Sequence, residues 1–199
     1  MDTKKKPGWV TAVAIIAIVL SGFGVMGGIQ EALTPFMLDA QRADYELMIE
    51  ELNNIAVEVE QSNNVEQNTD IKQIPGPEQQ QVVDMFKSFA GLLEKILNMP
   101  EWYLNWLVLS GIISILIHGF YLFASIWLMQ LKPYAPRYLA IALPLSIAFA
   151  LVRTTIAVQA LDSMALLLMG GTLIAMSVEV VLLLVLITKD KSAFKQFEA

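Results

Sequence analysis

Residues 104–188 read LNWLVLSGIISILIHGFYLFASIWLMQLKPYAPRYLAIALPLSIAFALVRTTIAVQALDSMALLLMGGTLIAMSVEVVLLLVLIT, and this segment decides the fold. Its apolar character breaks at residues 132–137 and 161–163. Each of the three runs between these breaks has about 20 or more residues, which is the length that a helix needs to cross the hydrocarbon of a bilayer. The segment therefore predicts three membrane spans.

A fourth apolar run extends from Trp9 to about Ile29 and follows three lysines at residues 4–6. A basic flank before an apolar run also occurs in secretory signal peptides, but this run is longer than their apolar core, and no Ala-x-Ala cleavage site follows it. We expect an uncleaved first span that enters the membrane from the cytoplasm, with the three lysines held inside.

The composition agrees with a lipid-embedded chain, because 56% of the residues are apolar and the mean hydropathy is +0.57. Cysteine is absent, which excludes disulfides, thiolate metal sites and a thiol nucleophile. The net charge of −6 comes from one segment, residues 30–103, which contains fourteen Asp and Glu residues but four Lys and Arg residues. Such an acidic segment would repel phosphates, so we expect no nucleic-acid partner.

The acidic segment shows the periodicity of two amphipathic helices. Apolar residues recur at steps of three, four or seven in residues 33–59 and again in residues 82–97. Between them lies a stretch rich in Asn and Gln that ends in Pro-Gly-Pro at residues 75–77, through which no helix continues. We expect an antiparallel helical hairpin that buries its apolar stripes against each other or against neighbouring copies.

Basic residues at the ends of the apolar runs predict the topology. Eight Lys and Arg residues lie on one side of the predicted spans, and the short turn on the other side has none. The positive-inside rule then places both termini in the cytoplasm and the hairpin outside it. The absence of cysteine and of Asn-x-Ser/Thr sequons fits a bacterial inner-membrane protein. The sequence thus predicts an all-α integral membrane protein with four transmembrane helices and an extracytoplasmic helical hairpin between the first and second. The predicted segments are a basic cytoplasmic N-terminus (1–8), the first span (9–29), the acidic periplasmic hairpin (30–103), the second span (104–131), a cytoplasmic turn (132–136), the third span (137–159), an extracytoplasmic turn (160–163), the fourth span (164–188) and a basic cytoplasmic C-terminus (189–199).

Two further patterns concern how the spans sit in lipid and pack. Large aromatic side chains are expected as anchors at the membrane interface. Small residues at spacings of four, three and four line one face of the first span and let another backbone approach closely, either within the chain or in an oligomer. The anchors are Trp9, Trp102, Tyr103 and Trp106, and the small-residue face is Ala17, Ser21, Gly24 and Gly28.

Three ionisable residues lie inside predicted spans, where charge is costly and a functional role is the default hypothesis. His118 and Glu179 should lie at matching depth near the middle of the second and fourth spans. Arg153 should lie roughly 12 Å shallower, at about 1.5 Å per helical residue. Its long side chain could then reach Gln159, Asp162 or the membrane surface.

A hydrogen-bonded pair of His118 and Glu179 allows two interpretations. Its protonation can change, which is the minimum for a proton relay. It can also be a polar clasp between two helices that contributes on the order of 1 kcal/mol. A lone imidazole could ligate a haem or chlorin as well, but the sequence offers no second axial ligand at a convincing position, so we expect no cofactor and no metal.

No motif of catalysis, nucleotide binding or phosphate binding is present, so we expect a protein that is not an enzyme. The leading hypothesis is a structural or accessory subunit of an oligomeric membrane assembly, with the acidic hairpin as a docking surface for copies of itself or other subunits. The first alternative is an oligomeric ion or small-solute conduit that uses His118, Glu179 and Arg153. The second alternative is a periplasmic sensor that signals through a partner.

Overall fold

The computed structural model describes residues 7–65, 77–161, 163–190 and 194, and within these ranges the chain is helical without a strand. Outside the described residues lie the lysines at residues 4–6 on the predicted cytoplasmic side, residues 66–76, Asp162 and most of the basic C-terminus. The helices are α1 (Gly8–Ala40), α2 (Arg42–Val65), α3 (Pro77–Leu97), α4 (Glu101–Met129), α5 (Ala135–Leu161) and α6 (Ser163–Thr188).

Four of these helices, α1, α4, α5 and α6, are long and apolar enough to cross a membrane. Their apolar windows have little of their surface buried inside the protein, as expected of helices whose other faces contact lipid. The prediction of an all-helical chain with four such helices is therefore confirmed for the described part of the sequence.

Helix α1 is longer than the sequence suggests. The predicted first span ends at Ile29 and leaves Pro35 to the start of a separate helix, but the structure continues α1 through Pro35 to Ala40. A proline inside a helix removes one backbone hydrogen bond and crowds the preceding turn, yet it does not always end the helix. The break falls instead at Gln41, and the consequence is that Glu31 belongs to the first membrane helix.

The chain divides into two compact units, which we call the membrane unit (Met1–Thr34 with Trp102–Ala199) and the helical-pair unit (Pro35–Glu101). In the membrane unit, buried apolar side chains from all four long helices form one cluster. Its members are Val10, Val13, Ala14 and Ala17 of α1, Tyr121, Ala124 and Leu128 of α4, Leu131, Ala135, Leu139, Ala142 and Leu143 of the turn and α5, Leu182 and Leu186 of α6, and Phe194.

The turn between α4 and α5 is defined by its backbone. Leu131 has a φ of 58°, the left-handed conformation that commonly ends a helix. The amide of Leu131 donates to the carbonyl of Leu128, and the amide of Lys132 donates to the carbonyl of Trp127, each at 3.0 Å. These two bonds satisfy carbonyls at the end of α4 and reverse the chain into α5.

In the helical-pair unit, α2 and α3 pack against each other along a face of small and apolar residues. Ala56 of α2 and Val83, Ala90 and Leu93 of α3 are buried there. An ion pair between Lys87 and Glu60 joins the same two helices at the surface. The packing face of α3 thus runs through Val83 and Ala90, whereas Val82 and Phe89 of the predicted stripe remain exposed.

Candidate functional site

One face of α4 carries polar side chains along almost the whole helix. These side chains recur at steps of seven, four, four, three and four residues, so they lie one above another on a helical face. From first to last they extend over about 33 Å at 1.5 Å per residue, which is comparable with the hydrocarbon thickness of a bilayer. We call this set the α4 polar face: Tyr103, Ser110, Ser114, His118, Tyr121 and Ser125.

Near the middle of the α4 polar face, four side chains form a connected hydrogen-bond path that we call the His118 chain: Ser114, His118, Ser146 and Glu179. The ring nitrogen Nε2 of His118 lies 3.3 Å from the Ser146 hydroxyl, and that hydroxyl lies 2.8 Å from Oε1 of Glu179. On the other side of the ring, Nδ1 lies 2.9 Å from the carbonyl oxygen of Ser114 and 3.2 Å from the hydroxyl of the same residue. The path thereby links α4, α5 and α6.

His118 and Glu179, for which the sequence allowed a hydrogen-bonded pair, are joined through a third residue. Ser146 is almost completely buried, and so is Glu179. Ser146 lies two residues after Pro144, on the side of α5 that faces the interior of the membrane unit. Both ring nitrogens of His118 therefore have protein partners, and the carboxyl of Glu179 has a hydroxyl partner, without direct contact being needed between the two ionisable groups.

Helix α1 approaches the His118 chain through a glycine. A Cβ atom added at Gly24 would lie 2.0 Å from Cδ2 of His118, so only glycine leaves room for the ring. The Ser114 hydroxyl also reaches α1, at 3.4 Å from the carbonyl oxygen of Gly24. The imidazole is thus held between α1 on one side and Ser146 on the other.

Nearby, the hydroxyl of Tyr121 is buried and has no hydrogen-bond partner in the described part of the chain. Tyr121 is among the largest fully buried side chains. A buried polar atom without a partner is uncommon in folded proteins and calls for an explanation. Tyr121 lies about one turn beyond His118 along α4.

A second group of polar side chains lies about 12 Å from His118 along α4, at 1.5 Å per residue. We call it the Glu31 cluster: Glu31, Ser110 and Arg153. The Ser110 hydroxyl donates to Oε1 of Glu31 at 2.6 Å. Nη1 of Arg153 lies 3.4 Å from Oε2 of the same carboxylate, which forms an ion pair between α5 and α1.

This ion pair differs from the partners that the sequence suggested for Arg153. The expected partners were Gln159, Asp162 or the membrane surface, and Asp162 is outside the described residues. Arg153 pairs instead with Glu31, because α1 is long enough to bring this carboxylate into the membrane unit. The arginine side chain is still 40% exposed, so one side of the guanidinium also faces outward.

The small-residue face of α1 lies inside the membrane unit. Ala17, Ser21 and Gly28 are buried, and a Cβ atom at Gly28 would lie 2.9 Å from the carbonyl oxygen of Gly111 on α4. The approach is equally close from the other side, since a Cβ atom at Gly111 would lie 2.6 Å from the carbonyl oxygen of Gly28. Glycine against glycine therefore lets the backbones of α1 and α4 touch.

The four predicted interfacial aromatics have different surroundings. Trp102 is exposed and contacts the ring of Tyr103 edge-on, with ring centres 5.7 Å apart. Tyr103 itself is buried, so its ring is not available as a lipid anchor. Trp106 is partly buried, and Trp9 packs on Phe194 at 6.2 Å.

Comparison with protein-family models, curated proteins and solved structures finds no match to this chain. Among the residues that the structure describes, no group of His, Asp and Glu side chains has the arrangement of a metal site.

The sequence did not single out Ser146, Ser110 or Glu31. Serine is common in membrane helices, where its hydroxyl usually bonds to a carbonyl of the same helix. A single serine in the sequence therefore does not indicate a contact with another helix. The regular spacing of polar residues along α4 does indicate which face of this helix contacts polar side chains of other helices. No comparable spacing marks Ser146 on α5.

Proposed function

We propose that this chain is a non-enzymatic multi-pass protein of a bacterial inner membrane, and that it serves as a structural or accessory subunit of an oligomeric membrane assembly. The observation that supports this role is a row of apolar side chains on α3. Val82, Met85 and Phe89 lie at successive turns and are 40%, 59% and 48% exposed, whereas Val83 and Ala90, on the face against α2, are 0% and 2% exposed.

Exposed apolar side chains also occur on α2 of this unit, at Leu47, Met48 and Val57, whereas those of α3 lie in a row along one face. Contiguous apolar groups with a polar rim are typical of protein contact sites, and aromatic or methionine side chains at their centre supply much of the binding energy. The segment that carries this row is acidic as a whole, since residues 30–103 contain fourteen Asp and Glu residues but four Lys and Arg residues. A second copy of the same unit would bring like charges together, so the proposed occupant is another subunit whose apolar patch is surrounded by Lys and Arg.

The proposed topology has both termini in the cytoplasm and residues 30–103 in the periplasm. Its support is the asymmetry of Lys and Arg residues around the four long apolar helices. The absence of native cysteine permits a clean test with single-cysteine variants at two exposed positions, Ser88→Cys in α3 and Tyr134→Cys in the turn before α5. A membrane-impermeant thiol reagent should label Ser88→Cys in spheroplasts and Tyr134→Cys only after lysis, and the reverse pattern would invert the topology.

The subunit role is tested on the full-length protein purified from native membranes in mild detergent. Native mass spectrometry should give a complex heavier than one chain, and the double variant Met85→Gln/Phe89→Gln should release the partner without loss of helicity. The matched control is Ser88→Gln, which places the same side chain at an exposed position of α3 that is polar already. A monodisperse monomer, or a partner that stays bound to the double variant, would contradict the proposal.

A conduit for ions is the second candidate, and the α4 polar face favours it. Polar side chains along about 33 Å of one helix, with Glu179 and Arg153 beside them, provide groups at several depths of the bilayer. Glu179→Gln should abolish flux of ions or protons in vesicles that contain the purified protein, while Ser177→Ala, an exposed position on the same helix, should leave it unchanged. Unchanged flux in Glu179→Gln would eliminate this candidate.

A further inference from the structure

The hydrogen bonds of the His118 chain determine which ring nitrogen carries a fixed proton. Nδ1 lies 2.9 Å from the carbonyl oxygen of Ser114. A carbonyl oxygen only accepts hydrogen bonds, so Nδ1 must be the donor and must carry a hydrogen. The Ser114 hydroxyl oxygen also lies 3.2 Å from Nδ1 and 3.4 Å from the carbonyl oxygen of Gly24, so it can accept from Nδ1 while its own hydrogen is donated to Gly24. Nε2 is therefore the nitrogen at which His118 can gain or lose a proton.

The Ser146 hydroxyl lies between two groups but has a single hydrogen to donate. Oε1 of Glu179 is 2.8 Å away and Nε2 of His118 is 3.3 Å away. Two arrangements satisfy both contacts. In one, a protonated Glu179 donates to Ser146, and Ser146 donates to a bare Nε2. In the other, a protonated Nε2 donates to Ser146, and Ser146 donates to the Glu179 carboxylate.

These two arrangements contain the same number of protons, and we propose that His118, Ser146 and Glu179 form an intramembrane proton-exchange site in which one proton is shared between the carboxyl and the imidazole through the serine hydroxyl. The ligand of this site is a proton. The two arrangements differ in charge, because the first has neutral groups at both ends and the second has a carboxylate and an imidazolium.

The exchange balances without another reactant. The O–H bond of Glu179 breaks as a new O–H bond forms on Ser146, the original O–H bond of Ser146 breaks, and an N–H bond forms at Nε2 of His118. One proton has then moved from Glu179 to His118, and Ser146 again has one hydrogen. The hydroxyl acts as both donor and acceptor in each arrangement, which is the property that a relay requires.

Other titratable groups near this site come from each packed helix. On α4, Tyr121 lies three residues beyond His118, and its hydroxyl has no hydrogen-bond partner in the described residues. On α5, Arg153 lies about two turns beyond Ser146. On α1, Gly24 faces the ring, and Glu31 lies two turns farther along and is neutralised by Arg153. Glu179 is thus the carboxyl that the Ser146 hydroxyl joins to His118.

The composition offers a direct way to observe the exchange, because His118 is the only histidine of the chain. Labelling of histidine with 15N and 13C gives two ring nitrogen signals in solid-state NMR of the full-length protein in lipid bilayers; both belong to His118, and the one-bond coupling of Nδ1 to Cγ and of Nε2 to Cδ2 distinguishes them. We expect Nδ1 to be protonated over the whole pH series. The C=O infrared band of a protonated Glu179 is identified as the carboxylic acid band that is lost in Glu179→Gln. We expect the protonation of Nε2 to change over the same pH range as the intensity of this band.

The variants distinguish a shared proton from two independent groups. In Glu179→Gln, Nε2 should stay without a proton down to a pH that is at least about one unit lower than in the wild type. The reason is that two groups that share a proton shift the titration of each other by about one pH unit or more. Ser146→Ala should give the same change by removing the bridge while leaving the carboxyl in place. Ser125→Ala is the matched control, since Ser125 is also buried but its hydroxyl bonds to the carbonyl of Tyr121 on its own helix.

Two results would overturn the assignment. One is a neutral His118 with its hydrogen on Nε2, which can be seen in the wild-type protein without any variant. The other is an Nε2 titration that is the same in the wild type and in Glu179→Gln. The proton-exchange site would supply the proton-binding step of the proposed conduit. It is tested by titration at equilibrium, whereas the conduit is tested by flux. An absence of proton flux in vesicles would therefore eliminate the conduit and leave the exchange site intact.

Discussion

The Glu31 cluster and the His118 chain are two polar regions of the same apolar unit that accommodate a carboxyl group in different ways. Glu31 is paired with a guanidinium, and Arg153 keeps 40% of its side chain exposed. Glu179 is almost completely buried and meets a neutral hydroxyl. Charge inside a membrane is tolerated when it is paired or when it can be neutralised by a proton. The first region uses pairing, and the second has the geometry for proton exchange.

The largest effect is expected from the helix contact that supports the Glu31 cluster. In Gly111→Ala, the new Cβ atom would lie 2.5 Å from the backbone nitrogen of Ala32, and backbone cannot move aside as a flexible side chain can. Separation of α1 from α4 should lower the free energy of unfolding by about 1–3 kcal/mol or more. Gly119→Ala on the same helix has open space around its Cβ atom and should be neutral, so equal melting temperatures would refute the close contact.

The next effect separates the two partners of the ion pair. Arg153→Gln leaves the carboxylate of Glu31, whose side chain is 11% exposed, without its cation and should cost about 1–3 kcal/mol. Glu31→Gln should cost less, because the arginine that remains is already partly exposed and can turn outward. Unfolding in detergent of both single variants and of the double variant measures the difference, and a larger cost for Glu31→Gln would contradict the account.

A smaller effect is expected from the bridging hydroxyl of the His118 chain. Ser146→Ala removes a hydrogen bond between membrane helices, and such bonds contribute about 0.6 kcal/mol on average and up to about 2 kcal/mol. Ser125→Ala removes a hydroxyl that bonds within α4 and should change stability by less than that. Chemical unfolding in matched detergent compares them, and identical values would mean that the bridge adds nothing to helix association.

The smallest effect is expected from Tyr121, which belongs to the α4 polar face but not to the His118 chain. The hydroxyl of Tyr121 is buried without a hydrogen-bond partner in the described residues, so Tyr121→Phe removes a polar atom that gains nothing from its surroundings. The free energy of unfolding should rise slightly or stay within about 0.5 kcal/mol. A loss clearly greater than this would show that Tyr121 has a partner.

The sequence predicted the helical fold because long apolar runs and their interruptions are local properties. It also indicated the depth of His118 and Glu179, since depth follows from counting residues along a helix. It could not indicate Ser146, because the identity of the helix that faces α4 and the rotation of that helix depend on packing between distant segments. Glu31 was missed for another reason, since ending the first span at Ile29 assigned this residue to the acidic segment.

The small-residue face of α1 illustrates the same limit. Its spacing of Ala17, Ser21, Gly24 and Gly28 is visible in the sequence, and it indicates that some backbone approaches closely. The matching glycine on the other helix, Gly111, lies beside Ser110 and three residues before Ser114, but only the structure shows that Gly28 and Gly111 lie together. Local spacing predicts a contact, whereas the partner follows from three-dimensional packing.

The central claim is that one serine hydroxyl joins the carboxyl of Glu179 to the imidazole of His118 inside the membrane unit. A nitrogen–carbon recoupling measurement in lipid bilayers tests it most directly, with 15N in the single histidine and 13C in the carboxyl groups of glutamate. The claim predicts that the Nε2 signal is attenuated in the wild type and that this attenuation disappears in Glu179→Gln. Equal Nε2 signals in the two proteins would contradict it.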